Sequence, residues 1–189
     1  KSEVRAIAEQ QKLPSAKRKD SQGICFLGKI NYNDFIEGYL GKRTGKIVEL
    51  ETGKVLGKHN GYWFHTIGQR KGLGIGGRKE SLFILATDTV QNVIYVGEGD
   101  SHPGLWRQAL HIAPREIHWV NPARTMPAGH SARFSVRIRY RQPLQEATLF
   151  VRDQGAYILF DTPQRGITPG QFAAWYDGDE LVGSGIISE

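Results

Sequence analysis

The residue best suited to covalent chemistry is Cys25, the single cysteine among 189 residues. It stands in Lys19-Asp20-Ser21-Gln22-Gly23-Ile24-Cys25-Phe26-Leu27-Gly28, where turn-forming polar residues give way to a short apolar run. Two readings compete. A free thiol is most often a small buried hydrophobe. A thiolate, however, is the nucleophilic form, and Lys17, Arg18, Lys19 and Lys29 lie within eight positions and favour it electrostatically. One cysteine excludes an internal disulfide and any thiolate-rich zinc centre. The six histidines (His59, His65, His102, His111, His118, His130) contain no H-x-x-x-H pair, so no metal site is expected.

The other chemistry available is cationic recognition. Gly72-Leu73-Gly74-Ile75-Gly76-Gly77 matches G-x-G-x-x-G in letters. A dinucleotide site needs that loop between a strand and a helix, and here Arg78-Lys79-Glu80-Ser81 leads into another strand. Two readings remain: a structural turn, or a loop whose backbone amides approach an anion with Arg70, Lys71, Arg78 and Lys79 as possible phosphate contacts. Farther on, Phe134, Val136, Ile138 and Tyr140 alternate with Arg133, Ser135, Arg137, Arg139 and Arg141. Four arginines within nine positions are either a solvated sheet face or a phosphate-binding one, since like charges on one face favour bound anions. Tyr140 could stack on a base or sugar. In Thr168-Pro169-Gly170-Gln171-Phe172-Ala173-Ala174-Trp175-Tyr176 a tight turn feeds a strand, and Gln171 at its exit could read a base edge or be merely structural.

The elements that must position these residues change character along the chain. Residues 2–12 read as a helix, with Ser2 as N-cap, Glu3 in the first turn and Val4, Ile7 and Ala8 on one face. Leu13-Pro14 ends it. A polar loop covers 15–23. A second helix covers 31–40, capped by Asn31 or Asn33 and stopped at Gly41. From Gly45 the period shortens to that of strands. A hairpin joins Lys46–Leu50 to Val55–Gly57 through Glu51–Lys54. Tyr62–Ile67 fits either a short helix or a strand. Leu82–Ala86 and Val93–Gly97 are strands joined by a turn at Asp88–Asn92, and 101–108 reads as a connector. Six strands follow, near 109–119, 130–140, 146–152, 156–160, 171–176 and 181–187, in the pattern of a small barrel or sandwich.

Composition sets the outer bounds. The length allows one domain or two small ones. No apolar run approaches the roughly 18 residues of a membrane helix, and no signal peptide opens the chain. The absence of an initiator methionine points to a fragment or processed product. The net charge of +6 suggests an anionic partner, nucleic acid first. Residues 1–50 carry ten Lys/Arg against six Asp/Glu, and in 106–189 all nine basic residues are arginine.

Taken together, "KDSQGICFLGK" (19–29), "HTIGQRKGLGIGG" (65–77), "RYRQ" (139–142) and "TPGQFAAWY" (168–176) resemble the tRNA-specific 2-thiouridylases, in the same order over essentially the whole chain. The opening "KSEVRAIAE" resembles the last catalytic-domain helices of that family. The resemblance implies a mainly β protein with a short α-helical N-terminal segment: residues 1–42 as the tail of an ATP-pyrophosphatase (PP-loop) catalytic domain, 43–105 as a small β-rich central domain, and 106–189 as a six-stranded C-terminal β-barrel that helps hold tRNA. It further implies an enzyme in which ATP adenylates the carbonyl at position 2 of the wobble uridine, and a persulfide sulfur replaces that oxygen. Cys25 matches the persulfide-bearing cysteine; Arg139 and Tyr140 match a tRNA-contacting pair, and Gln171 a further tRNA contact.

The partners so implied are tRNA, a sulfur-relay protein or cysteine desulfurase, and the upstream catalytic half of the same protein, in a bacterial-type cytoplasm or an organellar matrix. The family's S-G-G-x-D-S loop and its second, disulfide-closing cysteine match no segment here. ATP would therefore be bound by the upstream half, and the chain alone is expected to be inactive. Cut from that half, the loop around Cys25 is expected to be mobile. The rival expectation is a stand-alone RNA-binding β-barrel module in which Cys25 is incidental.

Overall fold

The computed structural model describes residues 2–17 and 31–188. Cys25, with Arg18, Lys19 and Lys29, lies outside the described residues, as does the expected loop mobility around it. The chain divides into two compact units, Lys1–Gly41 and Lys42–Glu189.

The first unit holds two helices. Helix α1 spans Ser2–Gln10. It closes two residues earlier than Leu13-Pro14 would require, because Lys12 turns left-handed (φ 52°) and the Leu13 amide reaches back to the Ala8 carbonyl at 2.9 Å. Helix α2 spans Tyr32–Leu40. Asn31 rather than Asn33 is its cap, its side chain accepting from the Asn33 amide at 3.1 Å, and Gly41 ends it with φ 65°. Phe35 and Tyr39, one turn apart, bring their ring centroids to 4.9 Å.

The second unit opens with strands β1 (Gly45–Glu49) and β2 (Val55–His59), which form the expected antiparallel hairpin. Strands β3 (Leu82–Asp88) and β4 (Val93–Glu98) form another. β1 and β4 then pair in parallel, giving the order β2-β1-β4-β3. Ile47, Ile84, Ile94 and Val96 make its core. The undecided segment Tyr62–Ile67 is neither strand nor α-helix: Tyr62–Phe64 makes one 3-10 turn and the rest is loop.

Six antiparallel strands follow: β5 (Trp106–Trp119), β6 (Ser131–Arg137), β7 (Gln145–Arg152), β8 (Gly155–Arg165), β9 (Phe172–Asp177) and β10 (Glu180–Ile187). They close as a barrel in the order β10-β5-β8-β7-β6-β9, which removes every exposed edge. The inward positions of each strand alternate, with Ile112, Val136, Leu149, Ile158 and Phe160 packed around Trp175. β5 starts three residues earlier than the pattern suggested. β6 stops at Arg137, short of the expected 140, and Tyr140, which the alternation groups with Phe134, Val136 and Ile138, is 84% exposed while those three are buried.

The sheet and barrel meet at a small cluster of Phe83 and Leu85 on β3 with Leu105 from the turn before β5. The Gly166 amide donates to the Leu105 carbonyl at 2.9 Å, Arg165 lies 5.2 Å over the Phe83 ring, and Arg165 pairs with Asp100 at 2.6 Å. The end of β8 is thereby fixed against the sheet.

Candidate nucleic-acid interface

The segment after the Tyr62–Phe64 turn is clamped by one side chain. Gln69 accepts the Thr66 amide at 3.0 Å on its oxygen and donates to the Lys71 carbonyl at 2.8 Å. The loop is also stitched to β3: the Gly68 amide donates to the Ile84 carbonyl at 2.7 Å, and the Ile84 amide to the Gln69 carbonyl at 3.0 Å. Gly68 (φ 83°) and Gly72 (φ 87°) take the left-handed conformations that this tight path needs. Arg70, Lys71 and Lys79 are exposed, and their side chains make no hydrogen bond or ion pair among the described residues. Arg78 differs: it pairs with Glu49 at 2.6 Å and Glu98 at 3.4 Å, pinning the loop's end to β1 and β4. The Glu49 carboxyl is held below the usual carboxylate range by the Thr52 hydroxyl and then by Arg78.

A second clamp shapes the end of β6. Gln142 accepts the Ile138 amide at 3.3 Å and donates to the buried Gln164 at 2.7 Å, and Gln164 donates to the Thr162 carbonyl at 2.8 Å. The chain therefore turns, with the Gln142 amide on the Arg139 carbonyl at 3.0 Å, and Arg139, Tyr140 and Arg141 project from the corner. Arg137 supports it from behind, donating to the Tyr140 carbonyl at 3.2 Å and lying 5.8 Å over the Tyr176 ring. Of the four arginines, Arg133 finds its anions within the protein: it makes a two-pronged pair with Asp161 (2.6 and 2.7 Å) and approaches Glu146 at 3.7 Å. The paired hydrogen bonds raise the Arg133 guanidinium's pKa and lower that of Asp161.

The two clamped segments meet. Thr66, Ile67, Gly68 and Gln69 face Arg139, Arg165 and Gly166 across an open cleft of about 440 Å³. The Gly166 carbonyl accepts from Arg139 Nη2 at 3.0 Å and from the Thr168 hydroxyl, also at 3.0 Å. Through Thr168 the site continues to the next turn, where Gly170 (φ 81°) and Gln171 bond to Ile187 at 2.9 and 2.8 Å. Gln171 is half-buried, and its side chain is uncommitted among the described residues. Of the residues singled out by type, Arg139 lines this cleft, while Arg70 and Lys71 follow its Gln69 wall and Tyr140 follows Arg139 in the chain. Gln164 and Gly166 are supporting residues that the sequence motifs do not include, and Gln142 enters them only as the last letter of RYRQ.

Three family models match successive stretches: the tRNA methyl transferase HUP domain at 1–29, the tRNA methyl transferase PRC-barrel domain at 33–98, and the aminomethyltransferase beta-barrel domain at 110–187. The tRNA-specific 2-thiouridylase MnmA of Parabacteroides distasonis is 51% identical over 99% of this chain and 52% of its own length. The chain belongs to the tRNA-specific 2-thiouridylase family. The 2-thiouridylase MnmA of Christiangramia forsetii is 46% identical over 100% of the chain and 56% of its own length, and that of Pseudomonas entomophila 46% over 99% and 50%. The chain thus spans about half the length of the thiouridylases it matches. Among the described residues no helix is long and apolar enough to cross a membrane.

Proposed function

We propose that this chain supplies the tRNA-holding β units and the sulfur-carrying cysteine of a tRNA uridine 2-sulfurtransferase. The observation that carries this reading is the meeting of Thr66–Gln69, from the HTIGQRK loop, with Arg139 at one cleft, in a chain whose relatives are named tRNA-specific 2-thiouridylases. Arg139 keeps guanidinium N–H groups beyond the one on Gly166 for a phosphate fork. Tyr140 offers an exposed ring for a base or ribose. Gln171, one turn away, presents an amide for a base edge, and Arg70, Lys71 and Lys79 add screened, longer-range attraction. Arg78, already held by two carboxylates, positions the loop.

Cys25 is proposed to bear the persulfide that attacks the activated uridine, with ATP bound by the upstream catalytic half. Residues 1–42 are read as the tail of that half, 43–105 as the central β unit and 106–189 as the barrel. Sulfur would come from a relay protein or a cysteine desulfurase, in a bacterial cytoplasm or an organellar matrix. Incubation with a cysteine desulfurase and cysteine should add one sulfur atom to the chain by intact mass, and Cys25→Ser should abolish the adduct. Given tRNA, ATP and that donor, the chain alone should form no 2-thiouridine. An adduct surviving in Cys25→Ser, or thiolation by the unaided chain, would contradict the division of labour.

A further inference from the structure

A second cavity, of about 240 Å³, opens in the barrel wall, with Ile167 and Pro169 among its lining residues. Leu110, Ile167 and Ile187, all buried, form its apolar floor. One wall is a pair of rings: His111 on β5 and Tyr157 on β8 are register partners, with centroids 4.7 Å apart and planes 36° from parallel. A hydrogen bond of 2.9 Å between His111 Nε2 and the Gln154 carbonyl fixes the imidazole, so the wall is formed in advance. Arg107 stands at the rim, exposed, and its guanidinium makes no hydrogen bond or ion pair among the described residues.

We propose that this pocket receives one unstacked nucleobase of the RNA that crosses the Arg139 corner, with Arg107 on the adjoining phosphate. The inference rests on the tRNA-binding reading above. An apolar floor with an aromatic wall and an uncommitted guanidinium beside it is the chemistry that takes up a splayed base. Its volume lies below the range of about 300–1,000 Å³ typical of drug-sized ligands, which suits a single base. Ile167 and Pro169 line it and belong to the segment that joins Gly166 to Gln171, so the slot continues the surface already described.

The test is titration of the 189-residue chain with an unmodified tRNA transcript across a salt series, comparing Tyr157→Ala, Tyr157→Phe and Arg107→Ala. Tyr157→Ala should weaken binding roughly ten- to hundredfold, the value of one stacked base. Tyr157→Phe keeps the ring and should bind as the parent does. Arg107→Ala should lower the slope of log K against log salt by about one. Both tested side chains lie on the outer wall, and an unchanged melting temperature would confirm that folding is intact. If Tyr157→Ala and Arg107→Ala bind normally while Arg139→Ala is weakened, the pocket proposal is wrong and the tRNA reading stands; a pocket serving a protein segment gives that same pattern. If the parent chain binds no tRNA, the reading itself fails and takes the pocket with it.

Discussion

A methyl group on Gly166 would sit 2.5 Å from Nη2 of Arg139, and the backbone there is left-handed (φ 66°). Both facts favour glycine, the first by space and the second by conformation. Gly166→Ala should therefore cost about 1–2 kcal/mol of stability from the conformation alone, read as a lower urea midpoint. It should also displace the guanidinium and weaken tRNA binding severalfold. Unchanged affinity would show that the Arg139–Gly166 contact does not set the arginine's position. At this scale the sequence was partly legible. The arginine-tyrosine pair stood out by type, and its exposure was predictable from charge. The direction of Tyr140 was not, because alternation in letters runs on through residue 140 while the strand ends at 137. The cause is the Gln142–Gln164 bond, which links residues 22 positions apart and leaves no local trace.

Among the elements, the β1–β2 hairpin depends on a buried histidine. His59 accepts the Gly61 amide at 3.1 Å on Nδ1 and lies 3.2 Å from the Asn92 carbonyl through Nε2. His65 stands edge-on to it at 5.5 Å. Burial lowers both pKa values, outweighing the hydrogen bonds that favour the charged form of His59, and the His59 ring further disfavours charge on His65. In the unfolded chain these rings titrate near the ordinary value of about 6.5. On acidification the unfolded state thus takes up protons first. The contribution of the neutral rings is complete above that value and is lost as pH falls toward the lowered folded values. Thermal melts should show the sheet weakening below about pH 6.5, and His65→Phe should flatten that dependence. A melting temperature constant from neutral to mildly acidic pH would contradict this role of the His59–His65 pair. The hairpins themselves were legible from period-two patterns and turn residues. The parallel β1–β4 pairing was not, since it joins strands more than forty residues apart and no turn announces it.

For the molecule, the closed barrel holds the largest core, and Trp175 lies within it. Its ring is fully buried, packs edge-on against Trp119 at 5.5 Å, and occupies the space that a side chain at Gly183 would need. Trp175→Ala should cost roughly 3–5 kcal/mol, enough to unfold a marginal domain; a near-native denaturation curve would mean that the barrel is held elsewhere. The basic excess suggests an anionic partner, and the structure refines where that charge is available. Arg78, Arg124, Arg133 and Arg165 are spent on carboxylates within the protein, whereas Arg70, Lys71 and Arg141 are not.

The central claim is that the Arg139 corner recognises tRNA, and equilibrium binding of this chain to a tRNA anticodon stem-loop and an unrelated hairpin, across a salt series, tests it most directly. The prediction is preference for the stem-loop, steep weakening with salt, and a loss of roughly tenfold or more in Arg139→Ala, in line with a charged hydrogen-bonded contact. Equal binding of both RNAs that Arg139→Ala leaves untouched would contradict it.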